Sequence, residues 1–109
     1  MAKITKINKI DSAQIREAIR GQVIDPEMGV NVVDMGLIYD IQIEKKEVRI
    51  KMTLTSMGCP SGPEIMEQVR DVSVALSKMP TVVELVWEPA WNKDMLSEDA
   101  RNEIMLNFL

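Results

Sequence analysis

Leu37-Ile38-Tyr39-Asp40-Ile41-Gln42-Ile43-Glu44-Lys45-Lys46-Glu47-Val48-Arg49-Ile50-Lys51-Met52-Thr53-Leu54-Thr55 reads as two strands joined by a short charged turn. Leu37, Tyr39, Ile41 and Ile43 alternate with Ile38, Asp40, Gln42 and Glu44, the pattern of a half-buried strand. Beyond Lys45-Lys46, Val48, Ile50, Met52 and Leu54 form an inward set, and Arg49, Lys51, Thr53 and Thr55 an outward one. A hairpin with Ile43 facing Val48 keeps both apolar sets on one side. The same register places Asp40 opposite Lys51, a favourable cross-strand pair, and Thr55 opposite Gly36.

The flanking sequence supplies cover for that apolar face. Ser61-Gly62-Pro63-Glu64 has the form of a capping box with proline in the first turn. Behind it Ile65, Val69, Val72, Leu76 and Met79 make a core-facing helical stripe that Pro80 ends. Thr81 to Glu88 predict a third strand, with Val83, Leu85 and Trp87 on one face and Val82 and Val86 on the other. Pro89-Ala90-Trp91 breaks it, and Trp91 reads as a cap on the core. Upstream, Ser12 is the expected N-cap of a helix over 12–23, with Ile15, Ala18, Ile19 and Val23 on one face. The restriction on a residue before proline ends it at Asp25-Pro26. Met28 to Met35 reads as a loop or irregular extended stretch, with Gly29 and Gly36 as its flexible points. Ser97 caps an expected last helix whose buried edge is Ala100, Ile104 and Phe108.

The order is therefore α-β-β-α-β-α. A right-handed crossover makes the third strand parallel to the second, so the expected fold is an α/β two-layer sandwich: a small three-stranded mixed sheet with helices on one face. Residues 1–109 are expected to form a single domain, a length that buries about two-thirds of the unfolded surface.

Composition narrows the function classes. Seventeen acidic and thirteen basic residues give a net charge of −4, and no basic cluster suggests a nucleic-acid partner. The apolar runs are too short to span a membrane, and Met1-Ala2-Lys3-Ile4-Thr5-Lys6 lacks a secretory h-region. One cysteine cannot form an internal disulfide, which fits a reducing cytoplasm. The sequence contains no histidine. Cys–His dyads, Ser–His–Asp triads and His-ligated zinc are thereby excluded within this chain. Nine methionines against one phenylalanine and one tyrosine read as an adaptable core, with Met57 and Met95 as candidate loop thioethers for a metal or a partner.

The one cysteine lies in Thr53-Leu54-Thr55-Ser56-Met57-Gly58-Cys59-Pro60, between a strand and a helix. Two readings of Cys59 stand on position alone. It is a small buried hydrophobe, or it is a thiol poised toward thiolate by the N–H groups and dipole of the following helix. Asp25, Glu27 and Asp34 lie in the loop before the hairpin, and Asp25 and Glu27 are placed to approach Cys59 across the sheet rim. From pattern alone they serve better as helix-terminating and loop-forming residues. Carboxylates beside the thiol would raise its pKa and oppose the helix.

Taken together, Asp25-Pro26-Glu27, Val33-Asp34-Met35-Gly36-Leu37-Ile38-Tyr39, the Thr53–Pro60 element and Trp87-Glu88-Pro89-Ala90-Trp91 resemble the SufT/PaaD-like family of small iron–sulfur cluster assembly domains, over about residues 12–101. The chain departs from the family's common Leu-Gly-Leu at Met35-Gly36-Leu37, from its Pro-Pro at Pro89-Ala90, and in the tail after Arg101. The resemblance implies an accessory factor in cluster assembly or maturation of iron-dependent clients, not an enzyme. It also implies that Cys59, Asp25, Glu27, Thr53 and Thr55 are the functional set. A cluster usually takes about four protein ligands, so no stably bound cofactor is expected. Cys59 would be a shared or transient ligand of iron or an iron–sulfur cluster, with outside thiols, or the second Cys59 of a homodimer, completing the set. The implied partners are the assembly machinery and apo client proteins. A protein–protein adaptor without thiol chemistry and a thiol-dependent enzyme are the alternative readings.

Overall fold

The structure, a computed structural model, describes residues 10–107. The expectations for Met1–Lys6 and Phe108 lie outside these residues. Helix α1 (Ser12–Gln22) is followed by a two-residue hairpin, β1 (Ile24–Asp25) and β2 (Val30–Asn31), then by β3 (Ile38–Ile43) and β4 (Val48–Met52). Helix α2 (Gly62–Ser77), strand β5 (Thr81–Leu85), a 3-10 turn at Lys93–Met95 and helix α3 (Glu98–Asn107) complete the order. The main sheet runs β3-β4-β5, antiparallel then parallel. This is the expected α/β fold, with β2 added inside the stretch Met28 to Met35 read as irregular and β1 just before it.

The hairpin register holds at Ile43 with Val48 and at Asp40 with Lys51. It then slips: Ile38 pairs with Met52, leaving Tyr39 as the extra residue of a bulge. A bulge turns the residues before it to the other face. Ile38 therefore joins Ile41, Ile50 and Met52 in the core, and Leu37, whose carbonyl accepts from Thr53 N at 2.9 Å, is fully buried as well. The expected pairing of Thr55 with Gly36 does not form. Gly36 has φ +81°, and a Cβ there would run into the Met95 carbonyl oxygen.

Ile15, Ile19 and Val23 of α1 and Ile65 and Val69 of α2 are buried on the sheet, with Val72, Leu76 and Met79 partly covered. Three local expectations need correcting. The N-cap of α1 is Asp11, which forms a reciprocal capping box with Gln14, and Ser12 is the first helical residue. Ser61 occupies the N-cap position of α2 but its side chain makes no capping bond, so the Ser61–Glu64 box is not formed. Strand β5 ends at Leu85, and Trp87 is 36% exposed rather than buried. Trp91 does cap the core, its Nε1 donating to Met35 O at 2.6 Å. Ser97 caps α3 by accepting from Ala100 N at 3.0 Å, and Ala100 is buried while Ile104 is partly so.

Candidate functional site

The turn between β1 and β2 carries Asp25-Pro26-Glu27, and it reaches the loop between β4 and α2. The Cys59 thiol donates to Glu27 Oε2 at 3.5 Å, across 32 residues of sequence. Asp25, only 3% exposed, accepts from Glu27 N at 2.9 Å through Oδ1, which fixes the turn that carries Glu27. Gly29, at φ +72°, closes that turn with its N–H on Asp25 O at 2.8 Å. The structure thus brings Asp25, Glu27 and Cys59 together, and the carboxylates do more than end a helix.

Cys59 is neither a fully buried filler nor a free surface thiol. It is partly buried, packs against the core cluster, and sits in a tight turn in which Cys59 N donates to Ser56 O and Gly62 N to Cys59 O. Burial pushes its pKa up. The Ser61 backbone N–H pulls the other way, while the hydrogen bond to Glu27 and the charges of Glu27 and Asp25 add to the rise. The expected thiolate at the α2 N-terminus is therefore not what the site favours: desolvation and two carboxylates outweigh one backbone donor.

The two threonines part company. Thr55 lies past the end of β4 and is exposed, in the loop that leads to Cys59. Thr53 is completely buried. By alternation it lies on the face opposite Met52, and the chain after β5 folds over that face. Tyr39 Oη donates its one proton to Pro89 O at 2.7 Å, with Met95 Sδ 3.5 Å away as a weaker alternative acceptor. Burial raises the Tyr39 phenol's pKa, and the hydrogen-bonding Thr53 hydroxyl pulls it back. Met95 is thus engaged structurally, whereas Met57, 83% exposed, projects from the cysteine loop.

Asp34 goes elsewhere. It is bound by Asn31 Nδ2 at 2.7 Å and by Arg20 at 3.2 Å, and Ser97 N donates to its backbone oxygen at 2.8 Å. Burial disfavours its charge, but Asn31, Arg20 and Ser97 prevail and hold the carboxyl below its ordinary range. It ties α1 and the start of α3 to the β2 turn and takes no part at Cys59. Tyr39 and Ser61 are the site's neighbours that sequence reasoning missed. Tyr39 was read as an ordinary inward strand residue, and only the bulge sets it apart. Ser61 acts through its backbone, which no side-chain pattern reveals.

Among the described residues no group of three or more Cys, Asp or Glu side chains is arranged to hold a metal ion. None of their helices is long and apolar enough to cross a membrane.

Comparison with known proteins follows the same lines. A sequence model described as "Iron-sulfur cluster assembly protein" matches residues 12–86. The chain is 46% identical over 81 residues to the Fe-S protein maturation auxiliary factor SufT of Staphylococcus aureus, covering 72% of this chain and 92% of that protein. It is 42% identical over 95 residues to the Fe-S protein maturation auxiliary factor YitW of Bacillus subtilis, covering 80% and 90%. Among solved structures it is similar to a Bacillus anthracis domain of unknown function, at TM-score 0.78 and 34% identity, over 89% of this chain and 92% of that one. A conserved hypothetical protein of Thermotoga maritima aligns at TM-score 0.74 and 32% identity, over 88% and 95%.

Proposed function

The chain belongs to the iron–sulfur cluster assembly protein family, and from that premise we propose that it is an accessory factor in maturing iron–sulfur or iron-dependent proteins, handling iron or a cluster transiently through Cys59. The relatives carry the names of auxiliary maturation factors, which supports a non-enzymatic role. The observation that carries the reading is the 3.5 Å contact between the Cys59 thiol and Glu27 on an accessible rim.

The chemistry follows from the charges. With no cargo present, burial first and then Glu27 and Asp25 disfavour the thiolate, so the sulfur keeps its proton. An arriving iron cation reverses the balance, because a metal-bound thiol is deprotonated outright. The S–H bond breaks, an S–Fe bond forms, and Glu27 is placed to take the proton. Iron–sulfur clusters need about four ligands, and this rim offers one thiol beside carboxylates. The donor or the client would supply the others, so the cargo passes on rather than staying. Thr55 would contact the incoming protein or cargo from the exposed loop, and Thr53 would act by holding Tyr39 and the strand end in place. The assembly machinery and apo clients are the proposed partners, and the cytoplasm the proposed compartment.

The upward pKa shift favours one second reading, an adaptor whose thiol does no chemistry. Complementing a deletion strain with Cys59→Ser separates the two. Loss of client-enzyme activity with normal levels of folded protein is expected. A folded serine variant that restores full activity would leave the adaptor reading standing.

A further inference from the structure

Among the described residues strand β5 is an edge of the sheet, with no strand paired on its outer side. Pro80 O and Val86 N bond to β4. Since the backbone groups of a strand alternate in direction, those of Val82 and Glu84 also face β4, and those of Thr81, Val83 and Leu85 face outward. Among the described residues no backbone partner meets these outward groups. Beside them runs a groove of about 590 Å³ between β5 and α2, lined by Pro63, Met66, Glu67, Arg70, Val82 and Val83. Val82 is 41% exposed. An open strand edge with an apolar flank is a template for pairing, and chains normally block such an edge or use it.

We propose that this edge takes a second copy of the same chain, joined antiparallel through β5 about a two-fold axis at Val83. The register is the one that satisfies the whole edge: Val83 pairs with its own copy and Thr81 with Leu85, so every outward N–H and C=O is matched. A one-residue slip would set outward groups against inward ones. The groove wall carries the second argument. Glu67 and Arg70 stand one helical turn apart on α2, both exposed. A two-fold normal to the sheet keeps the two α2 helices on one side and reverses their direction. Glu67 of each copy then meets Arg70 of the other, a pattern that is self-complementary only in an isologous contact. Among the described residues Arg70 otherwise reaches only Asp71, at 4.0 Å.

The geometry has a consequence for Cys59. Strands β4 and β5 are parallel, so the cysteine loop leaves from their shared C-terminal end. The two-fold sends the second copy's loop to the opposite end of the joined sheet. The dimer therefore presents two separate thiols, and the two cysteines do not share one cluster.

Sedimentation equilibrium of the full chain, under reducing conditions so that no Cys59 disulfide contributes, tests this. The wild type is expected to dimerise. Glu67→Arg and Arg70→Glu should each weaken the dimer about tenfold, because each turns two attractive pairs into repulsive ones. The double swap should restore it, and that rescue excludes simple misfolding. Val83→Pro, which removes an outward N–H together with a partly buried side chain, should also yield monomer, with circular dichroism showing that the variant stays folded. A wild type that stays monomeric would overturn the proposal. So would a dimer indifferent to all these changes, which would use another surface. A monomer that dimerises only after removal of residues 2–9, or one whose edge binds a client peptide instead, would equally overturn it.

Discussion

Glu27, not helix α2, is the side-chain partner of Cys59: Sγ lies 3.5 Å from Glu27 Oε2. The thiol is consequently held above the ordinary cysteine pKa, first by burial and then by the two carboxylates. Replacing Glu27 by Gln removes a negative charge and should bring the pKa down. The alkylation rate with iodoacetamide, followed against pH, should show a midpoint above the usual cysteine value in the wild type and a lower one in Glu27→Gln. At neutral pH the variant should react faster. Equal profiles would mean that burial alone sets the thiol.

Protein purified aerobically should contain little iron or acid-labile sulfide. The chain offers one thiol, and no histidine can add a ligand. Stoichiometric iron and sulfide in such a sample would contradict transient handling.

Gly36→Ala should destabilise the fold by about 1–3 kcal/mol or more. The position has φ +81°, and the new methyl would press on the Met95 backbone. The displaced strap should also loosen Tyr39, whose phenol bonds Pro89 O and Met95 Sδ. Chemical denaturation measures the loss. A variant as stable as wild type would show that the Met95 turn moves aside freely.

Asp34→Asn should cost about 1–2 kcal/mol at neutral pH by removing charge-assisted hydrogen bonds. The sign of the pH dependence is fixed. Asp34 has a depressed pKa in the folded state, so its stabilisation is complete above the ordinary aspartate value and disappears as pH falls through the folded one. Melting curves of wild type and variant should therefore differ at pH 7 and converge in acid, below about pH 4. A gap that persists into acid would mean that shape rather than charge holds the Asp34 junction.

The hairpin was legible because its information is local. Alternation set Ile43 against Val48 and Asp40 against Lys51, and the stripe from Ile65 to Met79 identified the crossover helix that makes β5 parallel to β4. The family resemblance named Asp25, Glu27 and Cys59, and their proximity was readable as an approach across the rim. Other features were set by partners distant in the chain. The bulge at Tyr39 forms where the chain after β5 meets the strand, and it turns Ile38 into the core against simple alternation. Thr53, polar and on the face away from the helices, is nonetheless buried, beside a Tyr39 whose phenol meets the distant Pro89 and Met95. Trp87 is apolar and in the inward phase, yet β5 ends before reaching it. The protonation preference of Cys59 is the clearest case. A sequence places a thiol before a helix, but a pKa sums desolvation and charge through space, and only the folded chain sets how far the sulfur is buried and brings Glu27 and Asp25 close enough to add to the rise.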